Sequence, residues 1–75
     1  MRVFVLTQGH LKQYRPEARF ALDLPAGATV RDLIHASGIP WEEVGLAAVN
    51  GTRADDATAL KDGDQVMLMA PLEGG

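Results

Sequence analysis

GDQVMLMAPLEGG, residues 63–75, decides how this chain reads. A Gly-Asp turn leads into a run from Gln65 to Ala70 that is apolar in both phases. Val66 and Leu68 fall on one side and Met67 and Met69 on the other. A strand with two apolar faces suits the middle of a sheet better than its edge. Pro71 then removes a backbone donor and stops further pairing. Leu72 follows as an apolar handle, then Glu73, then Gly74 and Gly75 with no side chains at all.

Working back from that strand gives the order of elements. Arg2 to Thr7 is rich in β-branched and aromatic residues and reads as a first strand. GHLKQYRP, residues 9–16, is polar, carries Gly and Pro, and reads as a loop. Ala18 to Leu24 alternates: Phe20, Leu22 and Leu24 face one way, and Arg19, Ala21 and Asp23 the other. These two strands suggest a hairpin with a loop longer than usual. After PAGA, residues 25–28, Thr29 fits a helix N-cap with Asp32 as its reciprocal acid. Val30, Leu33 and Ile34 share a helical face that Ser37 extends. Gly38, Ile39 and Pro40 then end the helix. At about two turns it is too short to persist alone and must lie on the sheet. Pro40 to Val44 allows one tight turn of helix. Leu46 to Val49 reads as a third strand, Asn50-Gly51 as a hairpin turn and Thr52 to Ala54 as a short fourth strand. Residues 55–60 are irregular.

The order β-β-α-β-β-β places the last strand beside the first and parallel to it, with the helix over one face. The expected class is α+β: a β-grasp, ubiquitin-like fold with a mixed sheet of four to five strands and one main helix. Residues 1–70 form a single domain and residues 71–75 a flexible Gly-Gly tail. If Val3, Val5, Val66 and Leu68 face the helix, then Phe4, Leu6, Met67 and Met69 face away from it. Such a patch is the mark of a partner surface unless the 9–16 loop covers it.

Composition narrows the functional classes. Seventy-five residues make one small domain. The absence of cysteine excludes disulfides and thiolate metal sites, and a 47% hydrophobic fraction can supply a core. The net charge of −3, with Lys and Arg scattered, argues against nucleic-acid binding. No stretch approaches the roughly 18–20 apolar residues of a membrane span, and MRVFVLTQG does not read as a signal peptide; a cytoplasmic location is the expectation. Gly45, Gly51 and Gly63 match no phosphate-binding loop, so no cofactor is expected on this chain. His10 and His35 read as solvent-exposed. Asp55, Asp56, Asp62 and Asp64 lack calcium-loop spacing and read as turn formers. Trp41 reads as a lid on one end of the core.

The ending carries the chemistry. Five residues from Pro71 to Gly75 reach at most roughly 16–18 Å, enough to thread a terminal carboxylate into another protein's active site. Glycine has the thinnest cross-section for such a channel. A free carboxylate is a poor electrophile. Adenylation converts it to a mixed anhydride that a sulfur or amine nucleophile can attack at the Gly75 carbonyl. Without a phosphate loop this chain needs a partner for that step. Without cysteine, any sulfur it carries sits on its own terminus as a thiocarboxylate. Gly75 and Gly74 are thus the candidate reactive residues. Phe4, Leu6, Met67, Met69, Pro71 and Leu72 are the candidate partner contacts.

VNGTRADDATALKDGDQVMLMAPLEGG, residues 49–75, resembles the C-terminal half of the MoaD/ThiS family of sulfur carriers. The shared pattern is Asn50-Gly51, Leu60, Asp62-Gly63-Asp64, the strand Val66 to Met69 and Gly74-Gly75. The helix start Thr29-Val30-Arg31-Asp32-Leu33 and Gly38-Ile39-Pro40 are also typical. The resemblance implies a non-catalytic co-substrate, or the small subunit of a sulfurtransferase such as molybdopterin synthase. Its partners would be an adenylating enzyme of the ubiquitin-activating type that uses ATP, a sulfurtransferase or cysteine desulfurase, and the large subunit of molybdopterin synthase. The long 9–16 loop and the short stretch between Gly51 and Leu60 lean toward the molybdopterin pathway over the thiamine pathway. Glu73 departs from the small or apolar residue frequent at its place. A modifier joined to lysines through Gly75 would use the same activation.

Overall fold

Alternation along the first strand, β1 (Arg2–Gln8), sets the layer order. Val3, Val5 and Thr7 are buried, whereas Arg2, Phe4 and Gln8 are exposed. The structure is a computed structural model that describes residues 1–71; the expectations placed on Leu72, Glu73, Gly74 and Gly75 lie outside the described residues. After β1 come β2 (Arg19–Asp23), the helix α1 (Val30–Ser37), β3 (Leu46–Val49), β4 (Thr52–Ala54) and β5 (Gln65–Met69). Two short 3-10 turns, Gly9–Gln13 and Trp41–Glu43, complete the chain.

The sheet order is β2-β1-β5-β3-β4. β5 runs parallel to β1 and antiparallel to β3, so the doubly apolar strand is central, as its sequence requires. With α1 on one face, this is the expected β-grasp with five strands. α1 forms for local reasons. The Thr29 hydroxyl accepts a hydrogen bond from the Asp32 amide, and the Asp32 carboxylate accepts one from the Thr29 amide at 2.9 Å, satisfying two free helix donors. Gly38 ends α1 with φ of 81°, a left-handed turn that glycine adopts without steric cost. Val30, Leu33 and Ile34 are buried on the sheet side, against Val3, Val5, Val66 and Leu68.

Two expectations are corrected. Residues 9–16 are not simply a polar loop. Gly9–Gln13 is a 3-10 turn that inserts Leu11, wholly buried, into the core. The segment then ties itself to the helix side. Arg15 Nη1 donates to the Ser37 carbonyl at 3.1 Å, and its guanidinium lies 3.9 Å from the Phe20 ring centre. The Tyr14 hydroxyl donates to Glu43 at 3.0 Å. One apolar residue among polar neighbours is enough to anchor such a turn, so the segment does not cover the outer sheet face. Trp41 is not a core lid either. It is 42% exposed, and the Arg31 guanidinium stacks 4.8 Å above its ring, a cation–π contact that suits a partly wet indole. Among the described residues no helix is long and apolar enough to cross a membrane.

Candidate functional site

Strand register assembles the outer face row by row. Leu6 pairs with Arg19 on one side and Met67 on the other. Met67 pairs with Ala48, and Ala48 with Arg53. One row therefore crosses all five strands: Arg19, Leu6, Met67, Ala48, Arg53. The next row toward the start of β1 holds Ala21, Phe4 and Gln65; the row on the other side holds Gln8, Met69 and Leu46. Phe4, Leu6, Met67 and Met69 thus share the face turned away from α1. Phe4 is 47% exposed, and the other three are half-buried.

The small side chain of Ala48 lowers the floor between Met67 and Arg53. Together with Phe4, Leu6, Ala21 and Gln65 it lines a shallow depression of about 760 Å³. Arg19 and Arg53 stand exposed at opposite ends of the central row. Neither forms an ion pair among the described residues. The sequence already showed Arg19 opposite Phe20 in phase. Only the register shows that it flanks Leu6, and nothing local to Arg53 aligns it with Ala48.

Pro71 is exposed just beyond β5. It follows Met69 and Ala70 at the end of the central strand. Leu72, Gly74 and Gly75, the other candidate contact and reactive residues, lie outside the described residues.

The four aspartates separate into two structural groups. Asp64 Oδ2 accepts from the Lys61 amide at 2.8 Å and Oδ1 from Asn50 Nδ2 at 2.9 Å. Asn50 Oδ1 in turn accepts from the Gln65 amide at 2.9 Å. This network ties the β3–β4 turn to the start of β5. Asp62 accepts from the Arg2 amide at 2.7 Å. Asp55 accepts from the Ala57 amide and the Thr58 hydroxyl, and Asp56 pairs with Arg31. His10 lies 3.4 Å from Glu43 and His35 is exposed on α1. Among the described residues no three His, Cys, Asp or Glu side chains converge as metal ligands.

The Lys61 amide, and then the Asn50 side chain, hold the Asp64 carboxyl below its ordinary value of 3.8, against the opposing effect of desolvation. The Thr29 amide and hydroxyl lower Asp32, and Arg2 lowers Asp23. A depressed carboxyl stabilises the fold fully above its unfolded value and loses that contribution as pH falls through the folded one. The contribution of these three carboxyls should therefore be present from neutral pH down to about pH 5 and fade progressively below about pH 4. Asp64→Asn should be less stable at neutral pH and show a shallower acid decline. Urea unfolding of both proteins across that range measures it, and parallel curves would exclude Asp64 as a contributor.

The sequence profile of the Mut7-C ubiquitin family matches residues 2–73. The chain belongs to the Mut7-C ubiquitin family. Solved structures agree with that placement. A putative molybdopterin converting factor subunit 1 from Pyrococcus furiosus superimposes with a TM-score of 0.79 at 28% identity, over 95% of this chain and 98% of that one. The structure of a complex of subunits 1 and 2 of the Helicobacter pylori molybdopterin-converting factor matches at 28% identity with a TM-score of 0.67, over the full length of both chains. The small archaeal modifier protein 1 of Haloferax volcanii shares the fold with a TM-score of 0.80 at 19% identity, over 95% and 98% of the two chains. No curated protein sequence matches the chain. The resemblance to MoaD/ThiS carriers thus extends over this Mut7-C ubiquitin chain as a whole. Its neighbours include both molybdopterin converting factor subunits and ubiquitin-like modifiers.

Proposed function

We propose that this chain is a sulfur carrier. A partner enzyme adenylates the Gly75 carboxylate with ATP, releasing pyrophosphate; a persulfide sulfur displaces AMP to give an acyl disulfide, a second thiol cleaves its S–S bond to leave the thiocarboxylate and a disulfide, and the thiocarboxylate donates sulfide to a cofactor precursor, with molybdopterin favoured over thiamine. The observation that carries the reading is the coupling of two features through one strand. Central β5 supplies Met67 and Met69 to an apolar face that none of the described residues covers, and in sequence then leads through Pro71 to the Gly-Gly segment. The likeness to molybdopterin converting factor subunit 1 supports the same pathway.

The body is the handle and the terminus is the reactive end. An adenylating enzyme of the ubiquitin-activating type docks on the row from Arg19 to Arg53, where desolvation of Leu6, Met67 and Phe4 favours association. Arg19 and Arg53, which form no ion pair among the described residues, select a partner whose apolar patch is flanked by carboxylates, and they speed encounter at low salt. A sulfurtransferase or cysteine desulfurase supplies the sulfur. The same face and terminus serve a larger sulfur-accepting subunit; that the Helicobacter pylori subunit 1 was solved in complex with subunit 2 supports a partner of this kind. The chemistry requires that Gly75 carry a free carboxylate.

The test is intact-protein mass spectrometry after incubation with ATP, an adenylating enzyme and a sulfur source. The expected product has one oxygen exchanged for sulfur at the terminus. Met67→Asp should fold normally, because Met67 contributes nothing to the helix-side core, yet lose about 2 kcal/mol or more of partner binding. Its product should fall in step at limiting enzyme. A wild type that instead accumulates on lysines of other proteins would mark a modifier. A wild type that gains neither sulfur nor conjugates would leave the carrier reading without support.

A further inference from the structure

β5 leaves the sheet between two glycines. Gln8, Met69 and Leu46 lie side by side at the ends of three adjacent strands. One step further on, Gly9 and Gly45 flank Ala70 and Pro71. A Cβ placed on Gly9 would sit 3.2 Å from the Ala70 Cβ. A Cβ placed on Gly45 would run into Pro71 Cα, and would lie 2.8 Å from Pro71 N and 3.2 Å from the Ala70 carbonyl carbon. These are backbone atoms, so no side-chain rotation can relieve the clash. Gly45 is also pinned from behind, because its amide donates to the Met69 carbonyl at 2.8 Å.

The two glycines differ in what demands them. Gly9 has φ of 77°, so a substitution there would add backbone strain to any crowding. Gly45 is not in the left-handed region. Its missing side chain is explained by the approach of Ala70–Pro71 alone. Ordinary carbon contacts begin near 3.5 Å, so a methyl group at residue 45 would drive the backbone at Pro71 away by roughly 1 Å.

We propose that Gly45 is a positioning residue for the Gly-Gly segment. Its bare Cα is the wall on which Ala70 and Pro71 rest, and it sets the direction in which the chain departs toward a partner's active site. The inference rests on the carrier reading above. Gly45 lies neither on the central row of the outer face nor among the buried core residues, so its substitution shifts Pro71 and the aim of the terminus and spares the row from Arg19 to Arg53 that carries most of the docking surface.

The experiment compares wild type with Gly45→Ala as full chains. Partner dissociation constant and single-turnover activation rate at saturating partner are measured separately, together with the nuclear Overhauser contact between the Hα protons of Gly45 and Pro71. Gly45→Ala should bind within about twofold of wild type, activate about 100-fold more slowly, and lose or weaken the Hα contact. An activation rate equal to wild type would overturn the proposal, and so would a loss confined to affinity, which would make Gly45 part of the docking surface. Absence of the Hα contact in wild type would also overturn it, even if the alanine variant failed to fold. A wild type that no adenylating enzyme activates removes the carrier reading and the proposal together. An activated wild type matched by Gly45→Ala removes the proposal alone.

Discussion

Appending one alanine after Gly75 should abolish activation while leaving both the fold and partner binding unchanged. The proposed electrophile is one carbonyl carbon, and an added residue moves the carboxylate about 3.3–3.6 Å further along an extended chain. It also puts a methyl group where the proposed channel accepts none. A misplacement of 1 Å can already cost about 100-fold in rate, so the extended chain should give no detectable adenylate or thiocarboxylate. The core is built from residues between Val3 and Leu68. The unfolding midpoint should therefore shift by no more than a surface change does, within about 0.5 kcal/mol. Affinity should hold as well, because the apolar row on the outer face is untouched. Release of pyrophosphate on mixing with ATP and the adenylating enzyme gives the first readout, and intact mass gives the second. Wild-type conversion of the extended chain would mean that the terminus is not the reacting group, leaving an interaction module with an incidental ending.

The largest stability effect is expected at Leu11. Its side chain is fully buried, and truncation to alanine removes transfer energy and leaves a cavity, at a cost of about 2–4 kcal/mol. A 75-residue domain has only roughly 4–11 kcal/mol in hand. Leu11→Ala should therefore remove a large share of the protein's stability. The neighbouring Lys12 is exposed, and Lys12→Ala should change stability by no more than about 0.5 kcal/mol. Urea titrations of the two variants make the comparison. A cost below that control's range for Leu11→Ala would mean that the 3-10 turn is only loosely seated on the core.

The contrast between Leu11 and the strands shows what the sequence makes legible. β5 could be placed at the centre because both of its phases are apolar, and at an edge such a strand would invite pairing with other chains. α1 could be bounded almost to the residue, because Thr29, Asp32 and Gly38 are tied to helix ends by specific hydrogen bonds and by φ of 81°. Leu11 gave no such signal. A single apolar residue among Gly, His, Lys, Gln and Tyr has no period, and only the open end of a three-dimensional core gives it a destination. Trp41 misled for the opposite reason: a large aromatic after Pro40 invites burial, but Arg31 offers its ring a partner at the surface.

The candidate site divides the same way. Phe4, Leu6, Met67 and Met69 follow from alternation alone. Arg19 and Arg53 join them only through register, which depends on four strand pairings at once. Gly45 was visible only as a glycine that fitted no nucleotide motif. Its neighbour Pro71 is 26 positions away in sequence, and the sheet alone brings their backbones together.

The central place of β5 has a mechanical side. Any pull applied at Pro71 runs along a strand hydrogen-bonded on both flanks, to β1 in parallel and to β3 in antiparallel register. Such a load strains two ladders in shear together, whereas an outermost strand would have only one to hold it. An enzyme that grips the end of this chain and tugs is therefore holding a cord knotted into the middle of the fabric, not a loose thread at its hem.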